Sequence, residues 1–242
     1  MKSKHSWSKR LECGLTAKVL STDSHDGNLS ISQPADQLHL TQRKLIDAPW
    51  SYLKQVHGGE IIRIRNSGDS HGAEGDGMVS SACGVPMAIQ VADCAPIVLI
   101  CETPVIGIVH AGWRGLLAGI VQNACSEMEK LGGHPTTAVV GSCIYPEHYE
   151  FGSVELKYMT REFGPTVESE TLGGRPALDI PETAKIALRR NNVFDTHFIG
   201  DCTASSGKHW SHRVRGDKER QAMIAWLEAV SYTHLRAHET EA

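Results

Sequence analysis

The sequence predicts a single α/β domain, and three observations support this class. Short apolar runs separated by turn residues occupy residues 52–109, which is the pattern expected of β-strands. Segments with apolar residues at helical spacing come later, the clearest of them between residues 113 and 131. No repeat, linker or change of composition interrupts the chain before residue 230, so residues 1–230 are expected to fold as one unit.

The first half of the chain is predicted to be mainly β-structure. Residues 41–50, TQRKLIDAPW, are expected to form a short helix that Pro49 ends. Strands are then predicted from the runs YLKQVH, EIIRIR, GMVS, PMAIQVADCAPIVLI and PVIGIVH. The last two runs are almost continuously apolar, which indicates strands that are buried on both faces.

The second half is predicted to alternate helices with strands. Residues 113–131 read as one helix that Gly132-Gly133 closes. Further helices are predicted from EHYEFGSVELKYMTREFG, IPETAKIALRRNN and KERQAMIAWLEAV, and further strands from TTAVVGSC and DTHFIGDC. Residues 231–242, SYTHLRAHETEA, are polar and follow the last predicted helix abruptly, so they are interpreted as a non-native tail outside the fold.

Composition and charge argue against several classes of function. The 242 residues include 24 Lys and Arg against 28 Asp and Glu, a formal net charge of −4, and 40% are apolar. This is an ordinary soluble composition, and the basic residues are too dispersed for a nucleic-acid surface. Charged residues and prolines interrupt the longest apolar stretches, so no membrane span is expected. No feature predicts an oligomeric state.

The cysteines indicate a reducing compartment. There are seven of them, an odd number with no short repeated spacing. The start of the chain, MKSKHSWSKRLEC, lacks the apolar core of a secretory signal. Reduced thiols and a cytoplasmic location are therefore expected.

The tract from Gly107 to Gly133 is the most informative stretch of the chain. An apolar strand runs directly into His110, and a glycine-flanked helix start with Arg114 follows. Free backbone N–H groups in a first helical turn, together with an arginine, favour the binding of an anion. The imidazole is available to bind a metal or to transfer a proton. This tract is therefore predicted to form part of a functional site.

Two further segments supply candidate metal ligands. His57 precedes the Gly58-Gly59 turn, and Cys94 lies within an apolar run. With His110 they form a His₂Cys set, which suits zinc with an open fourth position, the catalytic arrangement. The long gaps between these residues match no short zinc-finger pattern, so the alternative of a buried structural thiol and hydrogen-bonded histidines stays open.

Copper is the alternative metal, because His₂Cys is also the equatorial set of a blue-copper site. A multicopper oxidase needs an additional trinuclear cluster, normally built from His-x-His pairs. The chain contains 13 histidines and no such pair. Zinc is therefore favoured, and copper is kept as possible.

Five motifs resemble one known family when they are taken in order: QVHGG, DGMVS, VADCAPIVL, VHAGWRG and GSCI. They resemble the laccase-domain or YfiH-type family, also called the polyphenol oxidase or purine nucleoside phosphorylase family. The resemblance runs from about residue 52 to 144 and resumes at 202–227. It implies an α-β-β-α sandwich with mixed β-sheets, and it places the family's zinc ligands on His57, Cys94 and His110. The chain departs from the family at Ser142, where a proline is usual, and near Asp23, where an arginine is usual.

The resemblance implies phosphorolysis of adenosine, inosine and methylthioadenosine, with adenosine deamination as a second activity. Zinc lowers the pKa of bound water to roughly 7, which suits attack on an electrophilic carbon. The nucleobase-deaminase signature, which combines H-x-E with P-C-x-x-C, is absent because the sequence contains no P-C-x-x-C. The alternatives are a copper-dependent polyphenol oxidase and a non-catalytic zinc-stabilised binding module.

Three residues are predicted to assist the chemistry. Arg114 is expected to orient phosphate or ribose, since an arginine in a first helical turn is unfavourable without an anion nearby. Asp93 or Cys143 is expected to assist proton transfer; a structural role for Asp93 and a buried inert thiol for Cys143 remain the alternatives. Asp76, in a Gly-Asp-Gly turn, is interpreted as a turn former, and the alternative interpretation is that it lines the site.

Overall fold

The strands form two mixed sheets, as a computed structural model that describes residues 6–229 shows. The strands in chain order are β1 Ser6–Arg10, β2 Thr16–Ser21, β3 Ser51–Tyr52, β4 Ile61–Arg63, β5 Gly77–Ser80, β6 Met87–Val91, β7 Ala95–Ile100, β8 Ile106–Ala111, β9 Thr137–Val140, β10 Glu168–Glu170, β11 Pro176–Leu178, β12 Asp195–Phe198 and β13 Gln221–Glu228. One sheet has the order β1-β2-β13-β6-β3 and the other β12-β9-β7-β8-β5-β4, while β10 and β11 form a separate pair. Each large sheet combines parallel and antiparallel neighbours.

Helices cover the outer faces of the two sheets. They are α1 Ala35–Leu45, α2 Trp113–Leu117, α3 Ile120–Glu129, α4 Ser153–Phe163, α5 Ile180–Arg190 and α6 His212–Arg215. The apolar side of α1 packs on the five-stranded sheet, where Leu38 meets Ala88 and Ile224. The helices α2 to α5 pack on the six-stranded sheet. The four layers confirm the predicted α-β-β-α fold class.

The space between the sheets is filled by alternate side chains of the facing strands. Met87 and Ile89 of β6 meet Val98 of β7 and Ile108 of β8 in this core. Successive strand residues point to opposite faces, so the intervening residues of β7 and β8 pack against the helices instead. Every residue of β6, β7 and β8 is buried, which confirms the prediction of strands covered on both faces.

The structure divides two predicted elements. The run PMAIQVADCAPIVLI is two strands, β6 and β7, which belong to different sheets; the chain turns between them at Asp93, whose φ is 104°. The predicted helix over residues 113–131 is likewise two helices, because Gly119 adopts the left-handed conformation between α2 and α3.

The prediction of a final helix was wrong. Residues 221–228 form the strand β13, which pairs with β2 on one side and β6 on the other. Because both faces of this strand are covered, almost every position is apolar, and this pattern resembles a buried helix in a short run. The helix predicted over residues 41–50 also begins earlier and ends at Leu45.

The predicted tail at residues 231–242 lies outside the described residues. Within residues 6–229, no helix has both the length and the apolar character needed to cross a membrane.

Candidate metal centre and cavity

Two adjacent strands and one loop bring the predicted metal donors together. His110 lies near the end of β8, and Cys94 immediately precedes β7. Because β7 and β8 pair antiparallel, with Pro96 opposite His110, the start of one strand lies beside the end of the other. His57 approaches on the loop between β3 and β4, and its ring packs edge-on against the His110 ring at 4.8 Å between centroids.

The donor atoms of His57, Cys94 and His110 all lie within 4.8 Å of one another. Donors in a tetrahedral zinc site lie about 3.5 Å apart, so small side-chain rotations bring this set around one ion. His110 is buried, Cys94 is partly exposed and His57 is exposed, so the set opens to solvent on the His57 side. A thiolate and two imidazoles are donors that suit zinc, and metal binding at this site stays a prediction.

Asp76 holds two of these residues in place. Its carboxylate is fully buried and accepts hydrogen bonds from the backbone N–H groups of Val56, His57 and Gly58 at 3.1, 2.9 and 2.7 Å. The left-handed conformation of His57, with φ of 61°, lets these three successive N–H groups converge on one anion. The same carboxylate lies 2.9 Å from Nδ1 of His110. This contact fixes the ring and leaves Nε2 as the nitrogen that would bind a metal.

The surroundings of Cys94 favour the thiolate. Burial opposes ionisation of this thiol, but the neighbouring rings of His110 and His57 outweigh burial and lower its pKa to about 6. Burial also opposes the charged form of His110, whose pKa is nonetheless raised by the Cys94 thiolate and by Asp76. Burial disfavours the charged form of Asp76 as well, yet the His110 ring and the loop N–H groups hold the pKa of Asp76 below its usual value. The site therefore combines two anionic groups with one cationic ring.

Gly112 lets the chain pass close to the metal donors. A Cβ atom at this position would lie 2.9 Å from Cys94 Sγ and 3.3 Å from Cδ2 of His57. Both distances are shorter than ordinary van der Waals contacts, so any side chain at residue 112 pushes against two candidate ligands at once. The glycine after His110-Ala111 is therefore explained by close packing against the site.

A cavity of about 700 Å³ opens at the three donors. This volume lies within the usual range of small-molecule sites. Its lining includes five cationic side chains, which are Lys54, Arg114, Arg213, Lys218 and Arg220. Of the described residues that line it, Asp93 alone carries a carboxylate. Lys54 is paired with Glu74 at 2.8 Å, and Asp93 and the Cys94 thiolate offset part of the remaining charge, so the lining carries a smaller net positive charge although the protein has a net negative charge.

Aromatic rings support two of the cavity's arginines. The Arg114 guanidinium lies 4.3 Å above the Trp113 ring, and the Arg213 guanidinium lies 4.5 Å above the Tyr149 ring. Phe151 joins the two pairs, with ring centroids 5.4 Å from Trp113 and 5.3 Å from Tyr149. Such stacking orients a guanidinium without using its N–H groups. Arg213 also donates from Nη1 to the Glu150 carbonyl at 2.7 Å. The helix α2 that carries Arg114 has only five residues, so the Arg114 guanidinium is a stronger candidate for holding an anion than the helix terminus is.

Asp93 lines the cavity, and both of its oxygens accept hydrogen bonds from the protein. Thr203 donates its hydroxyl at 2.6 Å, and the backbone N–H of Arg213 donates at 2.7 Å. The same residue accepts the backbone N–H of Ile144 at its carbonyl, at 2.8 Å. Asp93 thus ties the turn before Cys94 to α6, which fits the structural alternative; its part in proton transfer stays a prediction.

Cys143 is fully buried in the core beneath the six-stranded sheet and does not belong to the cavity lining. It forms a β-bridge with Cys202. Burial, reinforced by the nearby Cys202, raises the pKa of the Cys143 thiol well above its usual value. This thiol is therefore protonated at neutral pH, and its role in catalysis stays a prediction.

Sequence reasoning underestimated Asp76 and did not find Arg213 or Tyr149. For Asp76 a signal existed, because an aspartate in a Gly-Asp-Gly turn directly before an apolar strand can accept loop N–H groups. Arg213 and Tyr149 lie in segments with no local motif, and only the fold brings them to the cavity. The Trp113 ring packs on Phe151 and also stacks against the Arg114 guanidinium.

These features define a class: a four-layer α/β protein with a His₂Cys donor set beside a cationic cavity. The family described as multi-copper polyphenol oxidoreductase laccase matches residues 19–228. The chain belongs to this family. The resemblance predicted from the sequence motifs is thereby confirmed.

Similar proteins support this assignment. Purine nucleoside phosphorylase ORF3 of Streptomyces griseus is 33% identical over 184 residues, which cover 73% of this chain and 74% of that protein. A purine nucleoside phosphorylase of Deinococcus radiodurans is 33% identical over 179 residues, covering 72% and 69%. The fold is shared with the crystal structure of Neisseria meningitidis protein NMB0706, at a TM-score of 0.76 and 19% identity over 93% of this chain and all 100% of that one. It is also shared with Bacillus licheniformis hypothetical protein YfiH, at 0.75 and 19% over 88% and 93%.

Proposed function

We propose that this protein is a zinc-dependent purine nucleoside phosphorylase that converts adenosine, inosine and methylthioadenosine into the free base and a ribose 1-phosphate, with adenosine deaminase activity. The observation that carries the proposal is that His57, Cys94 and His110 open into the same cavity as five cationic side chains. The relatives from Streptomyces griseus and Deinococcus radiodurans, which are named purine nucleoside phosphorylases, support the same reaction.

The cationic side chains that line the cavity are the proposed binding site for the phosphate. In phosphorolysis a phosphate oxygen forms a bond to C1′ of the nucleoside, the bond from C1′ to the base breaks, and its electron pair leaves with the base, which takes up a proton. Arg114, oriented by Trp113, is the proposed phosphate ligand, because a planar guanidinium binds phosphate with two parallel hydrogen bonds. Asp93 and Cys143 are the proposed proton carriers, and of the two Asp93 lines the cavity.

The donor set fits zinc. His110 presents Nε2 because Asp76 engages Nδ1, and the low pKa of Cys94 provides the thiolate that zinc requires. Zinc supplies a Lewis acid at this position when it is bound. In deamination, water adds at C6 of adenosine and ammonia leaves. The cavity proposed for phosphorolysis has room for the same nucleoside in this second reaction.

Copper-dependent oxidation of phenols is the second candidate. It is favoured by the description of the family, and a His₂Cys set also binds copper. Within residues 6–229 one group of three metal-binding side chains is found, whereas a multicopper oxidase needs several. The cationic lining also has no evident use for a neutral phenol.

A cytoplasmic location belongs to the proposal. All seven cysteines are free thiols, which supports a reducing compartment. The proposed partners are purine nucleosides and phosphate, without nucleic acid or membrane.

The test is to incubate purified, metal-quantified protein with adenosine, with and without phosphate, and to identify the products. Adenine and ribose 1-phosphate that form only with phosphate support phosphorolysis, and inosine supports deamination. C94S is expected to lose both activities together with zinc, while C13S, at an exposed thiol, keeps them. Oxidation of a phenolic dye with added copper, without release of base from inosine, would overturn the proposal in favour of the oxidase.

A further inference from the structure

Gln90 has a fixed backbone and a side chain that lines the cavity. It lies near the end of β6, where the Gln55 side chain forms two hydrogen bonds with its main chain. Gln55 Nε2 donates to the Gln90 carbonyl at 2.8 Å, and the Gln90 N–H donates to Gln55 Oε1 at 2.9 Å. These two bonds hold the position of Gln90 without using its own carboxamide. Gln90 is only 7% exposed, and what remains accessible opens into the cavity.

The carboxamide of Gln90 has no hydrogen-bond partner among the described residues 6–229. Strand alternation turns this side chain away from the core between the sheets, into which Ile89 and Val91 project. Ile31, which is 38% exposed, and Trp113 supply apolar lining to the same cavity. What is accessible of Gln90 faces the cavity, so a ligand bound there can take the place of water as the partner of its carboxamide.

We propose that Gln90 is the residue that reads the purine base, by pairing its carboxamide with the C6 substituent and N1. This inference rests on the proposed function and deepens it. Adenine offers a donor at N6 and an acceptor at N1, whereas hypoxanthine offers an acceptor at O6 and a donor at N1. A carboxamide has one acceptor and one donor group and matches either edge after a half-turn of the amide. One glutamine therefore accounts for a site that takes both adenosine and inosine.

The pairing also orients the ligand. Arg114 and the other cationic residues line the same cavity as Gln90, so one site holds the phosphate and the base together. The exposed side chain of Ile31 and the partly exposed ring of Trp113 supply apolar surface that suits the faces of a planar base, while the carboxamide suits its edge. Such a division between apolar walls and a few placed polar groups is usual in small-molecule sites.

The experiment measures the binding of adenosine, inosine and purine riboside, which lacks the C6 substituent, by calorimetry, and their phosphorolysis in parallel. The variant is Gln90→Met, which keeps the length of the side chain and removes its hydrogen bonds. Gln37→Met, on the exposed side of α1, is the matched control. The natural protein is expected to bind adenosine and inosine at least tenfold more tightly than purine riboside. Q90M is expected to bind all three alike, and Q37M to keep the preference.

The outcomes separate this inference from the proposed function. The role of Gln90 is overturned if Q90M keeps the preference for adenosine and inosine over purine riboside, or if the natural protein shows no such preference. A merely structural residue would lower the affinity for all three ligands by one common factor. A Gln90-dependent preference without any cleavage refutes the phosphorylase and supports base reading. A natural protein that binds none of the three overturns both.

Discussion

Replacing Asp76 with asparagine tests whether this carboxylate builds the metal centre. The two oxygens of Asp76 accept four hydrogen bonds, two each, from three loop N–H groups and the His110 ring. An asparagine keeps one oxygen and turns an NH₂ group toward two donors, which then lack an acceptor. Each unsatisfied buried donor costs about 1–3 kcal/mol, so D76N is expected to lose about 2–6 kcal/mol of folding stability. For a chain of this size the loss lowers Tm on the order of 10 °C.

The effect on metal binding is separate from the effect on stability. Substitutions of residues that orient metal ligands typically weaken affinity about 10- to 100-fold, and D76N is expected to fall in this range for zinc. The assay is competition with a chromophoric chelator at a temperature where the variant is folded, alongside thermal unfolding of the metal-free protein. Asp69→Asn is the control, because Asp69 also accepts backbone N–H groups, from Arg65 and Asn66, in a partly exposed turn. A folded D76N that binds zinc as tightly as the natural protein would refute the reasoning.

Three further predictions follow from the same geometry. Gly112→Ala is expected to lower zinc affinity about tenfold in the same competition assay, because the added methyl group lies 2.9 Å from Cys94 Sγ, although the φ of −73° at residue 112 suits alanine. Gly173→Ala, with no neighbour closer than 3.8 Å, should leave zinc affinity unchanged. An unchanged zinc affinity in G112A contradicts the close-packing argument. In the metal-free protein, the rate of alkylation of Cys94 should rise with pH through about 6 and level off by about pH 8, since the thiolate forms above its lowered pKa. Buried Cys101, with its pKa raised to about 12, should stay unlabelled. Peptide mapping that finds Cys94 reacting only near pH 9 would contradict the lowered pKa. Arg114→Ala is expected to raise the KM for phosphate about 10- to 100-fold while zinc affinity stays constant, as steady-state kinetics and the chelator assay can show, and an unchanged KM removes Arg114 from the phosphate site.

Local pattern indicated His57, Cys94 and His110 as candidate metal donors and the family resemblance favoured them, but neither predicted the elements that turn between layers. His57 and His110 each end an apolar run, whereas Cys94 lies within a run that the fold divides, and the pairing of β7 with β8 then brings Cys94 beside His110. The break between β6 and β7 was hidden because Asp93 interrupts the apolar run for one residue only, and a left-handed aspartate has no clear sequence signature.

The error at residues 221–228 has a different origin. A strand covered by a sheet on one side and by α1 on the other is apolar at nearly every position, so period-2 alternation disappears. Only its pairing with β2 and β6 distinguishes it from a buried helix. The cavity wall formed by Arg213 and Tyr149 could not be predicted from the sequence either, since it depends on contacts between distant segments.

The two hydrogen bonds that Asp93 accepts from Thr203 and Arg213 limit how the ligand specificity of the cavity can be altered. One side chain connects the turn before Cys94 both to Thr203 and to the short helix that carries Arg213, so these parts of the cavity are held together by its hydrogen bonds. Insertions or deletions between residues 203 and 213 would disturb the metal donors along with the wall. Engineering a new ligand preference should therefore exchange side chains on α6 and keep the length of the loop before it.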